Sequence, residues 1–150
     1  MALKSIAERL FVEVDDGVQL IGGRCDDCNE VFFPTRSTCG RCQSEHVTDE
    51  TLPRRGKVWT WTSQSFLPKE PYNGSETEAD FEAFVVGYID LPGACIVQGR
   101  IDVPADRAVE LADLGTEVES FAYEFRRRSD GEMVHTYAFR PVVTKAGETK

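Results

Sequence analysis

Two cysteine pairs dominate the chemistry open to this chain: Cys25-Asp26-Asp27-Cys28 and Cys39-Gly40-Arg41-Cys42, with ten residues between them. A C-x2-C turn lets two thiolates converge on one ion, and two such turns on neighbouring hairpins complete a tetrahedral shell around zinc. Two other chemistries use the same residues. Disulfides are one, but Met1 to Leu10 alternates charged and apolar types without the apolar core of a secretory signal, and cytosolic thiols stay reduced. A redox dithiol is the other, although it needs only one pair. With four protein ligands the Zn2+ would be structural, because no coordination position stays open for substrate. Gly17 to Thr48 is too short to bury a sizeable core, so metal binding would supply folding energy. Asn29 and Gly40 sit where the knuckles want residues tolerant of positive φ, and Val31, Phe32, Phe33 and Pro34 would form an apolar pad.

The remaining candidates are weaker. Cys95 lies in the apolar run Ala94 to Val97 and reads as a small hydrophobe. His46 could replace a metal ligand, but four thiolates suffice; His135, beside aromatics, reads as a hydrogen-bonded strand residue. No triad spacing, phosphate loop or carboxylate pair stands out, so catalysis by the chain alone is not expected. Arg36, Arg41, Arg54 and Arg55 cluster around the second knuckle and a connector, and Arg126-Arg127-Arg128 forms a second group. Arginine suits bidentate phosphate contact, yet solvated surface or interface ion pairs to the acidic excess are the commoner use of such groups. Trp59 and Trp61 could anchor an interface or pack beneath the cysteine module.

The elements that must position these residues follow from composition and periodicity. The 150 residues suit one domain, or one domain with a small module; 41% are hydrophobic, which permits a packed core. The longest apolar run, Ala83 to Ile89, is too short to cross a bilayer. Acidic residues outnumber basic ones 26 to 17, giving a net charge of −9, which disfavours broad nucleic-acid binding. Leu3, Ile6, Ala7 and Leu10 have helical spacing over Leu3 to Val12, although a frayed terminus reads as well. Asp15-Asp16-Gly17 is a turn into a strand from Val18 to Ile21, and Leu52 to Gly56 is a connector. Five strands follow: Lys57 to Phe66, Phe84 to Leu91, Ala94 to Ile101, Thr116 to Arg127, and Met133 to Phe139. Trp59 and Trp61 would share one face of the first, and Phe121, Tyr123 and Phe125 one face of the fourth. Pro92-Gly93 closes a hairpin. Gly56, Gly87 and Gly99 allow the bends of a five-stranded OB-type barrel, though periodicity alone equally allows a sandwich. Ala105 to Leu114, with Val109, Leu111 and Leu114, is a barrel plug or a surface loop. The expected plan is therefore mainly β: a helix or arm over 1–17, a zinc ribbon over 18–52, a barrel over 53–142 and a tail over 143–150. Ribbon and barrel should pack as one rigid body.

This order of features resembles a known two-part family. Leu20-Ile21-Gly22-Gly23-Arg24-Cys25-Asp26-Asp27-Cys28, then Phe33-Pro34-Thr35-Arg36 and Cys39-Gly40-Arg41-Cys42, resembles its rubredoxin-like zinc ribbon. Arg55 to Thr62, Phe84 to Leu91 with Gly99-Arg100, and Phe139-Arg140-Pro141-Val142 resemble its acyl-CoA-associated OB-fold. The resemblance implies a small accessory subunit of thiolase-superfamily enzymes, such as the small subunit of benzoylsuccinyl-CoA thiolase. It implies structural Zn2+ at Cys25, Cys28, Cys39 and Cys42, and a surface bordering the coenzyme A (acyl-CoA) site in a heteromeric, cytoplasmic complex. Arg36, Arg41, Arg54 and Arg55 then become candidates for CoA phosphates, and Trp59, Trp61, Arg126, Arg127 and Arg128 for the partner interface. Asn29 stands where the family has glycine. The loop Leu67 to Ala83 is long and acidic (Glu70, Glu76, Glu78, Asp80 and Glu82 against Lys69) and would be partner-specific. The competing expectation is a single-stranded nucleic-acid binder, since ribbons and OB barrels both serve there; against it, Val58 to Lys150 holds sixteen acids and nine bases. A pure scaffold without ligand contact is the third.

Overall fold

The computed structural model describes residues 5, 7, 9–15, 17–67, 69, 81–127 and 129–142. Strand β1 (Phe11–Val14) turns back into β2 (Gly17–Cys25), pairing Phe11 with Leu20 and Val14 with Gly17. The far half of β2 then pairs with β3 (Val31–Phe32) and with β4 (Val47–Thr51), which brackets the cysteine module. Of the segment Leu3 to Val12 expected to be helical, residues 3, 4, 6 and 8 lie outside the described residues, and Phe11 and Val12 belong to β1. A strand forms there because β2 offers a pairing edge that the helical spacing alone does not reveal.

Five strands close the barrel in the order β5 (Arg55–Gln64), β6 (Phe84–Asp90), β7 (Ile96–Ile101), β9 (Met133–Pro141), β8 (Glu117–Arg127). Neighbours are antiparallel except β7 and β9, which run parallel where Ile101 meets Phe139. This is the OB arrangement, and it excludes the sandwich. Gly87 and Gly99 face each other across the β6–β7 hairpin and point inward. A Cβ on Gly99 would lie 2.7 Å from the Phe139 ring, and one on Gly87 would lie 2.6 Å from Ile101. The two glycines thus make room for the largest core side chains. The one described helical element is short, a 3-10 turn (Ala105–Arg107) running into α1 (Ala108–Leu111) between β7 and β8. Ala108 and Ala112 are its buried residues, whereas Val109 and Leu114 project into solvent.

Ribbon and barrel share one core. Leu20 from β2 and Leu52 after β4 are fully buried in the cluster that holds Val58, Val85, Ile89, Ile101, Val118 and Phe139. The seam is also hydrogen-bonded. The buried Ser120 hydroxyl on β8 donates to the Val18 carbonyl at 2.7 Å, Ser120 N–H donates to the Arg54 carbonyl at 3.0 Å, and the Arg54 guanidinium returns to the Ser120 carbonyl at 2.8 Å. Gly17 leaves the space for this: a Cβ there would collide with the Arg54 guanidinium and sit 2.6 Å from the Ser120 carbonyl.

Removing the Ser120 hydroxyl strips the Val18 carbonyl of this buried donor, a loss of about 1–3 kcal/mol. Ser120→Ala should therefore lower the thermal midpoint by several degrees, and Gly17→Val by more, in calorimetry. A Ser120→Ala protein that melts like the wild type would show that the seam is held by the apolar core alone.

Candidate metal centre

The four cysteine sulfurs converge at the tip of β2. All lie within 4.8 Å of one another, with Cys25 Sγ 3.5 Å from Cys42 Sγ and Cys28 Sγ 3.8 Å from Cys39 Sγ. Zn–S bonds of about 2.3 Å in a tetrahedron put sulfurs about 3.8 Å apart, whereas a disulfide needs about 2 Å. The spacing therefore fits a four-thiolate ion site, and all five cysteines are free of disulfides.

The two knuckles repeat one local design. In the first, Cys25 N–H donates to the Glu30 carbonyl and Asn29 N–H to the Cys25 carbonyl, both at 2.9 Å. In the second, Cys39 N–H donates to the Ser44 carbonyl at 2.8 Å and Gln43 N–H to the Cys39 carbonyl at 3.0 Å. The residue after each second cysteine carries positive φ, Asn29 at 64° and Gln43 at 69°. Asn29 thus fills the role expected of it, but Gly40 does not: the left-handed residue is Gln43. Gly40 lies under the Arg36 guanidinium, which a Cβ there would displace.

Ionisation inside the cluster is uneven. The Cys42 N–H, aided by that of Arg41, draws the Cys39 thiol down to about 7 against its desolvation. The Ser44 N–H pulls on Cys42 too, yet the neighbouring thiols, Cys25 foremost, and desolvation push it up to about 12. Four thiolates at this distance repel unless a cation sits among them, which is the electrostatic reason such a cluster suits a divalent ion. Phe32 packs against Cys25 and Cys39, and Val47 joins them. Outside the sulfurs, the Ser44 hydroxyl donates to Asp27, His46 Nδ1 lies 3.0 Å from the same carboxylate, and the Thr48 hydroxyl reaches Asp26 at 3.1 Å. The first of these contacts and the His46 ring hold the Asp27 carboxyl below its usual range. These bonds tie the first knuckle to the chain that follows the second. His46 is thus a brace and not a ligand.

The other singled-out residues are dispersed. Cys95 precedes β7 instead of lying within it; burial pushes its thiol up, opposite to what a nucleophile needs. His135 pairs in register with Glu124, and its Nδ1 is buried without a described partner. Each of the four candidate phosphate arginines is engaged separately. Arg36 lies over the Phe32 ring at 4.5 Å, Arg41 meets Glu30 at 3.6 Å, Arg54 sits in the seam and Arg55 meets Glu119 at 3.6 Å. Arg127 donates to the Gly131 carbonyl, Arg126 Nε is buried without a described partner, and Arg128 lies outside the described residues, as do 68 and 70–80 of the acidic loop. The tryptophans separate. A β-bulge between Val58 and Thr60 turns Trp59 outward at 58% exposure, while Trp61 packs against the core. Phe121 and Tyr123 do share a side, in edge contact at 6.4 Å, with the buried Val118 and Ser120 on the inner face of the strand.

Fold and site together define a zinc-ribbon protein with an OB-type barrel. Residues 19–47 match the family model described as the ChsH2 rubredoxin-like zinc ribbon domain, and residues 49–121 match the ChsH2 C-terminal OB-fold domain. The chain belongs to this family. It is similar to a DUF35 domain-containing scaffold protein of Methanocaldococcus jannaschii, 31% identical over 131 residues and covering 82% of each chain. It is likewise similar to the benzoylsuccinyl-CoA thiolase subunit BbsA of Thauera aromatica, 32% identical over 123 residues, covering 82% of this chain and 76% of that one. Among solved structures, a chain of the Ltp2-ChsH2(DUF35) aldolase superposes with a TM-score of 0.57 at 19% identity, covering 83% of this chain and 86% of that chain, a likeness of fold.

Protein purified without chelator is expected to carry about one equivalent of zinc, and Cys39→Ser to carry far less and to lose the ribbon's protease resistance. Wild-type protein with no bound metal by elemental analysis would rule the site out.

Proposed function

We propose that the chain is a non-catalytic accessory subunit that holds one structural Zn2+ and docks on a thiolase-superfamily enzyme acting on acyl-CoA. The observation that carries this reading is the 32% identity to a benzoylsuccinyl-CoA thiolase subunit across most of both chains, ribbon and barrel together. The site's chemistry supports the non-catalytic part. Four thiolates leave the ion no open position for substrate. Cys95 is held as a thiol by burial, which withholds the thiolate nucleophile that acyl transfer requires. In the assembly, the barrel would border the coenzyme A entrance in the cytoplasm. Of the candidate arginines, Arg36 and Arg41 are exposed enough to exchange their present partners for phosphate, while Arg54 is committed to the seam.

A scaffold role, favoured by the likeness to the archaeal scaffold protein, is compatible and differs only in whether CoA affinity changes. Co-expression with the thiolase-family subunit of the same organism should yield a complex that coelutes in size exclusion and raises that enzyme's turnover or half-life. A chain that elutes alone and leaves both unchanged would sink the proposal. An oligonucleotide titration that shows tight binding, weakening steeply with salt, would favour the nucleic-acid alternative.

A further inference from the structure

The outer face of the β6–β7 hairpin combines features that the metal site does not use. Phe84, Val86 and Tyr88 point outward from β6, and Ile96, Gln98 and Arg100 from β7. Trp59, turned out by the bulge, meets Tyr88 edge-on at 6.2 Å. Trp59, Tyr88 and Ile96 on this face are 58%, 44% and 46% exposed, which is costly in water for large apolar side chains. From this strip a cleft of about 210 Å³ leads past Val86 and Gln98 into an open groove of about 480 Å³. One wall of the groove comes from the ribbon, Phe33 and Pro34; Tyr123 and Phe125 from β8 also line it. Tyr137 belongs to the same groove; its hydroxyl donates to the Gln98 carbonyl at 2.5 Å, and burial pushes its pKa up to about 12, so it stays neutral.

Arg100 stands in this groove. Its guanidinium lies 4.1 Å from the Phe84 ring centre and 4.5 Å from that of Tyr123. Arg9, Arg24, Arg41, Arg55, Arg107 and Arg140 all face carboxylates, but among the described residues Arg100 makes no ion pair. In a chain with 26 acidic residues, the outward positions of β6 and β7 carry one, Asp90 at the far end. A cation stacked on two aromatic rings, and making no ion pair among the described residues although Glu82 and Asp102 line the adjoining pocket, is complementary to an incoming carboxylate within an apolar surface.

We propose that this face is where the chain docks on its partner enzyme, with Arg100 receiving a carboxylate of the partner and Trp59, Tyr88 and Ile96 forming the apolar centre of the contact. The inference rests on the accessory-subunit reading above and adds which surface performs it. Protein interfaces are depleted of charge at the centre and enriched in aromatic residues and arginine, and Trp, Tyr and Arg dominate their energetics. The second and third strands of an OB barrel, here β6 and β7, are also its habitual binding face. A small anionic ligand would fill the groove and leave the Trp59–Tyr88–Ile96 strip in water. A nucleic-acid strand would need a run of cations along the face, where Lys57 and Arg100 stand nearly alone.

The test is calorimetric titration of the purified chain with the thiolase-family subunit that copurifies with it. Arg100→Glu and Trp59→Ala should each weaken the complex at least about tenfold, with thermal midpoint and zinc content unchanged. Val109→Ser, which removes an equally exposed apolar residue from α1, should bind like the wild type. If both face variants also bind like the wild type, the docking face is wrong while the accessory role stands. If the wild-type chain forms no complex with any thiolase-family subunit, the accessory role falls and this inference with it. A chain that dimerises by itself, and that Arg100→Glu turns into a monomer, would assign the face to a second copy and overturn the proposal.

Discussion

Strand β2 meets two obligations within nine residues, and the rest of the molecule depends on both being met. Its first half must deliver Val18 and Leu20 to the seam and barrel core, and its last residue must deliver Cys25 to the sulfur cluster. A plain period-2 strand alternates its burial without interruption, but here Gly22 and Gly23 are both buried, so the alternation shifts by one residue. A Cβ at Gly22 would press on Leu52 and one at Gly23 on the Phe32 ring. The glycine pair therefore lets one strand change the layer it packs against between the barrel and the thiols. Neither end is independent: about thirty residues of ribbon cannot bury enough surface to fold alone, so the core at one end and the ion site at the other share the ordering.

The barrel contributes a closed frame. Closure through β7 and β9 removes free edges, and the inward glycines of the hairpin let Phe139 and Ile101 fill the interior. The short helical turn caps one end with two alanines, a thin plug that leaves its larger apolar side chains outside. Buried side chains fill the barrel, and the aromatic groove described above opens on its outer side. That surface is unusually aromatic on one side and acidic elsewhere.

The residues that make the ribbon and the barrel strands were legible because each follows a local rule. C-x2-C spacing is a covalent constraint, and apolar runs bounded by Pro-Gly or Asp-Gly turns mark strands wherever they pair. The features that escaped the sequence are set by pairing. The bulge that separates Trp59 from Trp61 exists because β5 must pair with both β6 and β8, and nothing in Val-Trp-Thr-Trp announces it. Gln43 adopts positive φ because the second knuckle copies the hydrogen bonds of the first, whereas residue preference pointed to Gly40. Arg54 looked like one of a surface cluster, and its burial became evident only once β8 was known to lie beside β2. Gly99-Arg100 entered only as part of the barrel's resemblance to the family, while the aromatic rings that stack on Arg100 come from β6 and β8.

Phe33 belongs to the ribbon and Tyr137 to the barrel, and their rings meet edge to face at 5.3 Å on the margin of the aromatic groove. No sulfur reaches that groove, yet its ribbon wall stands only while the knuckles hold β3 in place. Occupancy of the cluster and occupancy of the groove are then linked equilibria. An ion that orders the ribbon would tighten whatever fills the groove, and by reciprocity a filled groove would raise the ion's affinity by the same free energy. The sulfur cluster would then set affinity at a surface it never touches.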